Sequence, residues 1–163
     1  MSRQGNGRCV GAIGVDSLAM LDGVMQRAFD PQYGEAWNPA QCLAVLALPG
    51  YHLRGAWQEE LGPGEGLTGF AISRIVAGES ELLLFAVDPA ERRKGTGSAL
   101  LQDWFALCED QHVDRCFLEM REANPARSLY EYFGFTQIAC RVGYYRGRDG
   151  MVSNAITMQK LLR

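Results

Sequence analysis

The sequence predicts a single α/β domain in which a mixed β-sheet of about seven strands carries helices on both faces. Three observations lead to this prediction. A chain of 163 residues is the size of one domain and can bury a full hydrophobic core. Residues 82–87 are apolar without interruption, as expected for a strand buried on both faces. Segments of strand and helix character alternate on either side of this run, without an internal repeat or an interdomain linker.

The first elements follow a polar N-terminal segment. Residues 1–8 are rich in glycine and are predicted to be disordered, so that the folded domain spans residues 9–163. Residues 9–15 favour a short first strand. Asp16 or Ser17 can cap the helix that follows, whose apolar residues repeat at helical spacing.

Proline marks both ends of the second helix. Asn38-Pro39 predicts its start, because asparagine is a good N-cap and proline is tolerated at the first helical position. Pro49-Gly50 predicts its end. The loop between the two helices, residues 30–37, is unusually aromatic for a connection at the surface.

Residue spacing predicts the remaining elements. Apolar residues at helical spacing predict a long helix between residues 100 and 108 and a short one over residues 126–132. Asp149-Gly150 is a hairpin turn signal between the last two strands. Runs of strand length and β propensity occur at residues 51–57, 67–75, 81–87, 116–121, 135–142 and 153–161.

Composition and charge argue against several functional classes. No apolar run approaches the ~18–20 residues of a membrane span, and the polar start lacks a secretory signal. A net charge of −3 argues against a general nucleic-acid binder. The five cysteines form no CxxC pair and there are two histidines, so reduced core cysteines and no metal site are expected. The sequence thus predicts a cytoplasmic protein without nucleic-acid or membrane partners.

The loop after the apolar run at residues 82–87 has the features of a phosphate site. Three basic residues bring positive charge, and two glycines let the backbone approach an anion closely. The helix that starts there adds free N–H groups and the positive end of its dipole. The residues of this loop are Arg92, Arg93, Lys94, Gly95, Thr96, Gly97 and Ser98.

Two common phosphate motifs do not match this loop. A P-loop needs Gly-Lys before Ser or Thr, whereas Lys94-Gly95 has the reverse order. A dinucleotide site needs a third glycine where Leu100 stands. Glu119 lies at about the right distance for a ribose carboxylate, but the stretch from Val87 to the glycines is too long for the tight first turn.

A third motif matches. Arg-x-x-Gly-x-Gly after Val87-Asp88-Pro89 resembles the acetyl-CoA pyrophosphate loop of the Gcn5-related N-acetyltransferases (GNAT). Later segments extend the resemblance over nearly the whole chain and make it similar to the ribosomal-protein-alanine N-acetyltransferases of the RimI type. The chain departs from that family at Asn154, where Asp is usual. The segments that carry this later resemblance are residues 118–121, 129–135, 143–145 and 154–158.

The resemblance implies a GNAT fold and an enzyme that takes acetyl-CoA as its acetyl donor, without a metal. The end of the apolar strand would offer backbone N–H groups to the cofactor, at a bulge that parts two parallel strands. The residues implied to bind the cofactor are Phe85, Ala86, Val87, Arg92, Arg93, Lys94, Gly95, Thr96, Gly97, Ser98 and Asn124.

The resemblance also implies a catalytic pair. Glu119 matches the proton acceptor, and an α-amino group with a pKa near ~8 needs only modest help from a base. Tyr130 matches the family's proton donor, and a phenol of pKa ~10 can protonate a departing thiolate. Without the resemblance, Glu119 would be interpreted as a solvated carboxylate at a strand end and Tyr130 as a packed helix aromatic.

Four aromatic residues are implied on the acceptor side. Tyr144 and Tyr145 match a hairpin pair that borders the peptide groove in related N-terminal acetyltransferases, and Tyr33 and Trp37 would face it. For each of these four aromatic residues, packing in the core is the alternative to contact with the substrate. The predicted function is acetylation of a protein N-terminus, with a small-subunit ribosomal protein beginning with alanine as the closest family substrate. A small-amine acetyltransferase, acting on polyamines or aminoglycosides, and a non-catalytic CoA-binding module remain as alternatives.

Overall fold

A computed structural model describes residues 2–4 and 7–163. Within these residues one sheet contains eight strands, in the spatial order β1-β2-β3-β4-β5-β6-β8-β7. Four α-helices pack on it, and short 3₁₀ turns precede several of them. The strands are β1 (Ser2–Gln4), β2 (Arg8–Ala12), β3 (Tyr51–Gln58), β4 (Leu67–Val76), β5 (Glu79–Val87), β6 (Arg115–Arg121), β7 (Thr136–Arg146) and β8 (Val152–Leu161). The helices are α1 (Leu18–Ala28), α2 (Pro39–Leu46), α3 (Thr96–Asp110) and α4 (Arg127–Tyr132).

The sheet is mixed, as the sequence predicts. β5 and β6 run parallel, and α3 makes the crossover between them. The other paired strands that the structure describes are antiparallel. The predicted mixed sheet with helices on both faces is confirmed, with one strand more than the seven expected.

The additional strand lies in the segment for which disorder is predicted. Ser2–Gln4 form β1, which pairs antiparallel with β2, and β2 itself begins at Arg8. β1 satisfies backbone groups that the exposed edge of β2 would otherwise leave to solvent. Met1, Gly5 and Asn6, which belong to the same predicted segment, lie outside the described residues.

Helices cover both faces of the sheet because the central strands are apolar on both sides. In β4, Phe70 and Ile72 belong to the core beneath α1 and α2. Ala71, between them, belongs to the core beneath α3, where it packs with Leu101 and Trp104. This alternation is the period of two expected of a strand, and here both sets are buried.

The helix ends follow the sequence signals with small shifts. Asn38 caps α2 through a full capping box with Gln41, as its position before proline predicts. α2 ends at Leu46, a few residues before the predicted Pro49-Gly50 stop. Ser17 precedes α1 without making a side-chain cap bond. None of the helices in the described part of the chain is long and apolar enough to cross a membrane.

Candidate active site

The site is created by the divergence of β5 and β6. The two strands pair from Glu79 opposite Arg115 to Leu82 opposite Leu118, and the pairing stops there. At the same level the register between β4 and β5 shifts so that Leu83 is left without a partner in β4. Such a bulge bends its strand and re-aims the backbone beyond it. A gap therefore opens between the C-terminal ends of two parallel strands.

A cavity of about 280 Å³ occupies this gap. Seven of the residues predicted from the sequence line it, and they come from six parts of the chain: the loop over residues 30–37, β5, β6, the turn after β6, α4 and β7. The two catalytic candidates, two of the cofactor candidates and three of the four acceptor candidates are thus brought together, although they are up to 108 positions apart. These residues are Trp37, Phe85, Glu119, Asn124, Tyr130, Tyr144 and Tyr145.

Glu119 lies on β6 beside the gap and is held by a residue that the sequence analysis missed. Nη2 of Arg141 donates hydrogen bonds to both carboxylate oxygens of Glu119, each 2.5 Å away. Arg141 belongs to β7, so its side chain crosses β8, where the intervening positions carry the small residues Ala155 and Thr157. The hydrogen bond to Glu119 raises the pKa of Arg141, so the guanidinium stays protonated at any ordinary working pH.

Tyr130 reaches the cavity from α4 and is almost completely buried. Its ring makes edge-on contacts with Phe85 and Phe135, with both pairs of ring centres 5.9 Å apart. Burial raises the pKa of the Tyr130 hydroxyl, because a phenolate would lose its hydration there. The hydroxyl thus remains protonated and can act as a hydrogen-bond donor at any ordinary working pH.

Asn124 stands in the turn between β6 and α4. Its Oδ1 accepts a hydrogen bond from the backbone N–H of Ala126 at 2.9 Å, which orders the start of the helix. That contact does not use the amide nitrogen of Asn124, and the side chain lines the cavity. The turn role and a ligand role are therefore compatible.

The loop over residues 30–37 is anchored to the end of β6. Nε of Arg121 donates to Oε1 of Glu35 at 3.0 Å, and both side chains are largely buried. The Arg121 guanidinium also lies 3.5 Å from the centre of the Tyr33 ring. Tyr33 is therefore engaged in holding the loop and lies outside the cavity lining, whereas Trp37 is part of that lining.

The hairpin between β7 and β8 closes the same side. The backbone N–H of Arg148 donates to the carbonyl of Gln32 in the loop over residues 30–37, at 3.0 Å. The rings of Tyr144 and Tyr145 pack edge-on with their centres 5.2 Å apart. Burial, and then the negative charge of Glu119, raises the pKa of Tyr145. Loop and hairpin together bring Trp37, Tyr144 and Tyr145 to the cavity lining, whereas Tyr33 lies outside it.

The loop at residues 92–98 divides into two parts with different contacts. Arg92 is turned back onto the domain, where its Nη2 donates to the carbonyl of Ala28 at 3.0 Å and satisfies the end of α1. Lys94 pairs with Glu91, and its carbonyl accepts from Nη1 of Arg8 at 3.0 Å. Arg93 is exposed. Of the three basic residues, Arg92 is thus committed to a structural contact.

The second part of this loop fits an anionic group. Gly95 adopts a φ of 84°, which few other residues tolerate, and it turns the chain into α3. The first N–H groups of α3 have no acceptor within the helix. Thr96 is buried, and its Oγ1 has no hydrogen-bond partner among the described residues. A Cβ on Gly97 would come within 3.1 Å of a terminal methyl of Leu129, so glycine lets α3 start close to α4 without a shift of that side chain.

Ala86 and Val87 continue β5 beyond the point at which β6 separates from it. Phe85, Ala86 and Val87 pair with β4 along one edge of β5. Their other edge faces the gap, because β6 has already separated. Backbone N–H and C=O groups on that edge are therefore not paired with β6. No cluster of three or more metal-ligating side chains occurs within residues 2–4 and 7–163.

Residues 54–137 match a family model described as an acetyltransferase (GNAT) domain. The chain is 36% identical over 92 residues to a [ribosomal protein bS18]-alanine N-acetyltransferase of Haemophilus influenzae, and 39% identical over 85 residues to that of Escherichia coli K12. These matches cover 56% and 52% of this chain and 63% and 57% of the two relatives. The chain thus spans about three fifths of the length of the curated relatives it matches.

The fold is also similar to a solved structure. The ribosomal-protein-S18-alanine N-acetyltransferase of Escherichia coli superposes with a TM-score of 0.81 at 29% identity, over 95% of this chain and 94% of that one. The family match at residues 54–137 contains the loop at residues 92–98, Glu119 and Tyr130. The loop over residues 30–37 and the hairpin after β7 lie outside it.

Proposed function

The chain belongs to the GNAT acetyltransferase family, and we propose that it transfers the acetyl group of acetyl-CoA to the α-amino group at a protein N-terminus. The observation that supports this most is that Glu119 and Tyr130 line one cavity at the point where β5 and β6 part. An acid–base pair in a binding gap is a reason to prefer an enzyme over a non-catalytic CoA-binding module.

The cofactor would be held by the chain's backbone more than by its side chains. The N-terminal turn of α3, from Gly95 to Ser98, offers N–H groups to the pyrophosphate, and Thr96 adds an unused hydroxyl. Arg93 and Lys94 supply charge nearby. The free edge of β5 would align the pantetheine arm in the gap. When bound, acetyl-CoA supplies an activated acyl group and a thiolate leaving group.

Glu119 is the proposed proton acceptor. The acceptor amine must be neutral to attack, and an α-amine with a pKa near ~8 is close to that state at neutral pH. A carboxylate at the gap, acting directly or through one water, is enough to remove the remaining proton. Each carboxylate oxygen has two lone pairs, so the contacts with Arg141 leave a side of Glu119 free for this task.

Tyr130 is the proposed donor to the leaving sulfur. A thiol has an ordinary pKa near ~8.5, well below that of a buried phenol, so complete proton transfer from Tyr130 runs against the difference in pKa. Tyr130 can instead donate a hydrogen bond to the sulfur while negative charge develops there, and this step is not opposed by the difference in pKa. Since its pKa is raised by burial, the hydroxyl is always in the form that can donate.

The proposed acceptor is a protein that begins with alanine, as in the relatives named for ribosomal protein bS18. Trp37, Tyr144 and Tyr145 line the acceptor side, and aromatic walls suit an extended peptide. At pH 7.5 about a quarter of α-amines are neutral but only about one lysine in a thousand. A ribosomal protein as substrate would also place the reaction in the cytoplasm.

A polycationic small amine is less well supported. Such a substrate would require uncompensated negative charge in the cavity. Both glutamates of the lining are paired, Glu35 with Arg121 and Glu119 with Arg141. The cavity therefore presents carboxylates whose charge is already balanced, and it lacks the strongly acidic character that would select a polyamine or an aminoglycoside.

Mass spectrometry of peptides incubated with acetyl-CoA tests the proposal. A peptide that begins with alanine and contains an internal lysine is compared with the same peptide blocked by an N-terminal acetyl group. We expect one added acetyl group on the first peptide, at its N-terminus, and almost none on the second. Equal modification of both peptides, or modification of spermidine alone, would contradict the proposed substrate and leave the family assignment intact.

A further inference from the structure

Arg141 connects two walls of the cavity that belong to different elements. Its Nη2 donates to both oxygens of the Glu119 carboxylate on β6. Its guanidinium carbon also lies 3.6 Å from the centre of the Tyr144 ring in the hairpin. A planar guanidinium stacked on an aromatic ring has little freedom to rotate, so the stack fixes the direction from which the carboxylate is held.

The backbone of β7 is shaped to make this contact. Arg141 and Tyr144 are three positions apart, and a regular strand would point them to opposite faces. The register of β7 against β8 shifts between Arg141 and Tyr145, and Gly143 within that shift has a φ of 65°. The N–H of Gly143 donates to Oδ1 of Asn154 at 3.0 Å, which anchors the irregular stretch to β8. The interrupted alternation brings both side chains to one side.

The pair between Arg115 on β6 and Glu79 on β5 shows how an ordinary surface pair differs from the Arg141–Glu119 pair. Arg115 lies 2.9 Å from Glu79, and about half of each side chain is exposed. Pairs of that kind contribute little, because water competes for both groups. Glu119 is 27% exposed and lines the cavity. Arg141 is 49% exposed, about as much as Arg115, and differs from it in having the Tyr144 ring as a second support.

A carboxylate on a strand turns freely about its last two bonds unless something holds it. A proton acceptor displaced by about 1 Å can lose a factor of about 100 in rate. Arg141 approaches Glu119 from β7, so the lone pairs that face away from it are the ones available to an acceptor amine. The contact thus selects one orientation of the carboxylate.

We propose that Arg141 is a positioning residue that orients the Glu119 carboxylate toward the acceptor amine and is itself held by the Tyr144 ring. This inference rests on the proposed function, in which Glu119 accepts the proton. Arg141 acts through Glu119 and not on the cofactor, so its loss affects turnover of the acceptor and leaves acetyl-CoA binding unchanged.

The test is a double-mutant cycle in steady-state kinetics with an alanine-first peptide. The variants are Arg141→Met, Glu119→Gln and the two combined. Arg141→Lys tests rescue by a cation that reaches Glu119 without a planar group. Arg115→Met, which removes the arginine of the exposed Arg115–Glu79 pair, is the matched control. The KM for acetyl-CoA and thermal unfolding with and without acetyl-CoA report on the cofactor site and the fold.

We expect Arg141→Met to lower kcat by about 10- to 100-fold, Arg141→Lys to recover part of the loss, and Arg115→Met to match the parent. In the Glu119→Gln background, Arg141→Met is expected to cost less than about 3-fold, because the two residues act as a unit. Losses that multiply, a raised KM for acetyl-CoA, or parental kcat in Arg141→Met would overturn the inference. If the parent modifies another amine and no peptide, the proposed function fails, and the same cycle is measured with that amine.

Discussion

The side-chain amide of Asn154 donates a hydrogen bond to the carboxylate of Glu122, with Nδ2 and Oε2 2.8 Å apart. The oxygen of the same amide accepts from the N–H of Gly143. Asn154 therefore joins the end of β6 to the irregular stretch of β7 that presents Tyr144. An aspartate, the usual residue of the family that the sequence resembles, could accept from Gly143 but would repel Glu122.

Asn154→Asp is expected to lower the free energy of unfolding by about 1 kcal/mol, because it exchanges a hydrogen bond for a contact between two carboxylates. Glu122→Gln in the same chain restores a donor and is expected to recover most of the loss. Urea unfolding of the two single variants and the double variant measures this. If Asn154→Asp is as stable as the parent, and Glu122→Gln changes nothing in that background, the Asn154–Glu122 contact has no energetic role.

The parts of the site that are local in sequence could be predicted. The apolar strand, the glycine-rich loop and the start of α3 are consecutive, so their spacing alone indicates how they fold. Glu119 and Tyr130 can be identified from the sequence only through the motifs around them, which resemble those of a known family. The structure then shows that both residues line one cavity.

The parts that depend on distant pairing could not be predicted. Arg141 reaches Glu119 across β8, and this requires the register of three strands, to which the sequence gives no access. The contact of Arg121 with Glu35 spans 86 positions for the same reason. The sequence predicts Arg92 as a phosphate ligand, but in the structure its guanidinium donates a hydrogen bond to the carbonyl of Ala28 at the end of α1. β1 carries too weak a local signal to distinguish it from a polar tail.

Gly95→Glu tests the cofactor loop. The substitution places a negative charge and a side chain at the start of α3, where the pyrophosphate is proposed to bind, at a φ of 84°. Acetyl-CoA at 100 times its Kd is expected to stabilise the parent by about 2.7 kcal/mol and the variant hardly at all. Differential scanning fluorimetry with and without acetyl-CoA measures the effect.

Gly62→Glu is the control for this measurement. Gly62 also has a positive φ, of 73°, and a Cβ there meets no neighbour within 4 Å. The backbone strain and the added charge are thus matched, but the position lies in the loop between β3 and β4. We expect this variant to keep the full stabilisation by acetyl-CoA. An equal loss in both variants would mean that the charge acts at long range and that the loop assignment is wrong.

Glu119→Gln is expected to lower kcat by about 10²- to 10⁴-fold, the usual contribution of a general base. Glutamine keeps the shape and an acceptor for Arg141 but cannot take up a proton. Affinity for acetyl-CoA, measured by calorimetry, is expected to stay unchanged, since Glu119 is proposed to act on the acceptor amine and not on the cofactor. Glu79→Gln, at the exposed start of β5, serves as the control and is expected to retain parental turnover. A loss of less than threefold in Glu119→Gln would assign the proton to another group.

Tyr130→Phe is expected to change how stability depends on alkaline pH. Burial raises the pKa of Tyr130 in the folded protein above the ordinary value near ~10. Above that pH the unfolded chain releases the proton and the folded protein keeps it, so the parent loses stability as pH rises. Phenylalanine has no proton to release, and the variant is expected to lose less stability between pH 9 and about 11. Urea unfolding over this range measures the effect, and Tyr132→Phe, at an exposed position, is the control. If Tyr130 were solvated, the free energy of unfolding would depend on pH equally in the parent and in Tyr130→Phe.

Glu35→Gln tests whether the loop over residues 30–37 is held in place from β6. Glu35 and Arg121 are largely buried, so removal of one charge leaves the other without its partner in a place where water hardly reaches it. We expect the free energy of unfolding to fall by about 1–3 kcal/mol.

Trp37 belongs to the same loop and lines the cavity, so the KM for the peptide is expected to rise in Glu35→Gln while the KM for acetyl-CoA stays constant. Steady-state kinetics with each substrate varied in turn separates the two constants, and Glu79→Gln again controls for loss of an exposed pair. A peptide KM that remained at the parental value, in a variant destabilised as expected, would show that the Glu35–Arg121 pair supports the fold alone and that acceptor binding depends on the β7–β8 hairpin.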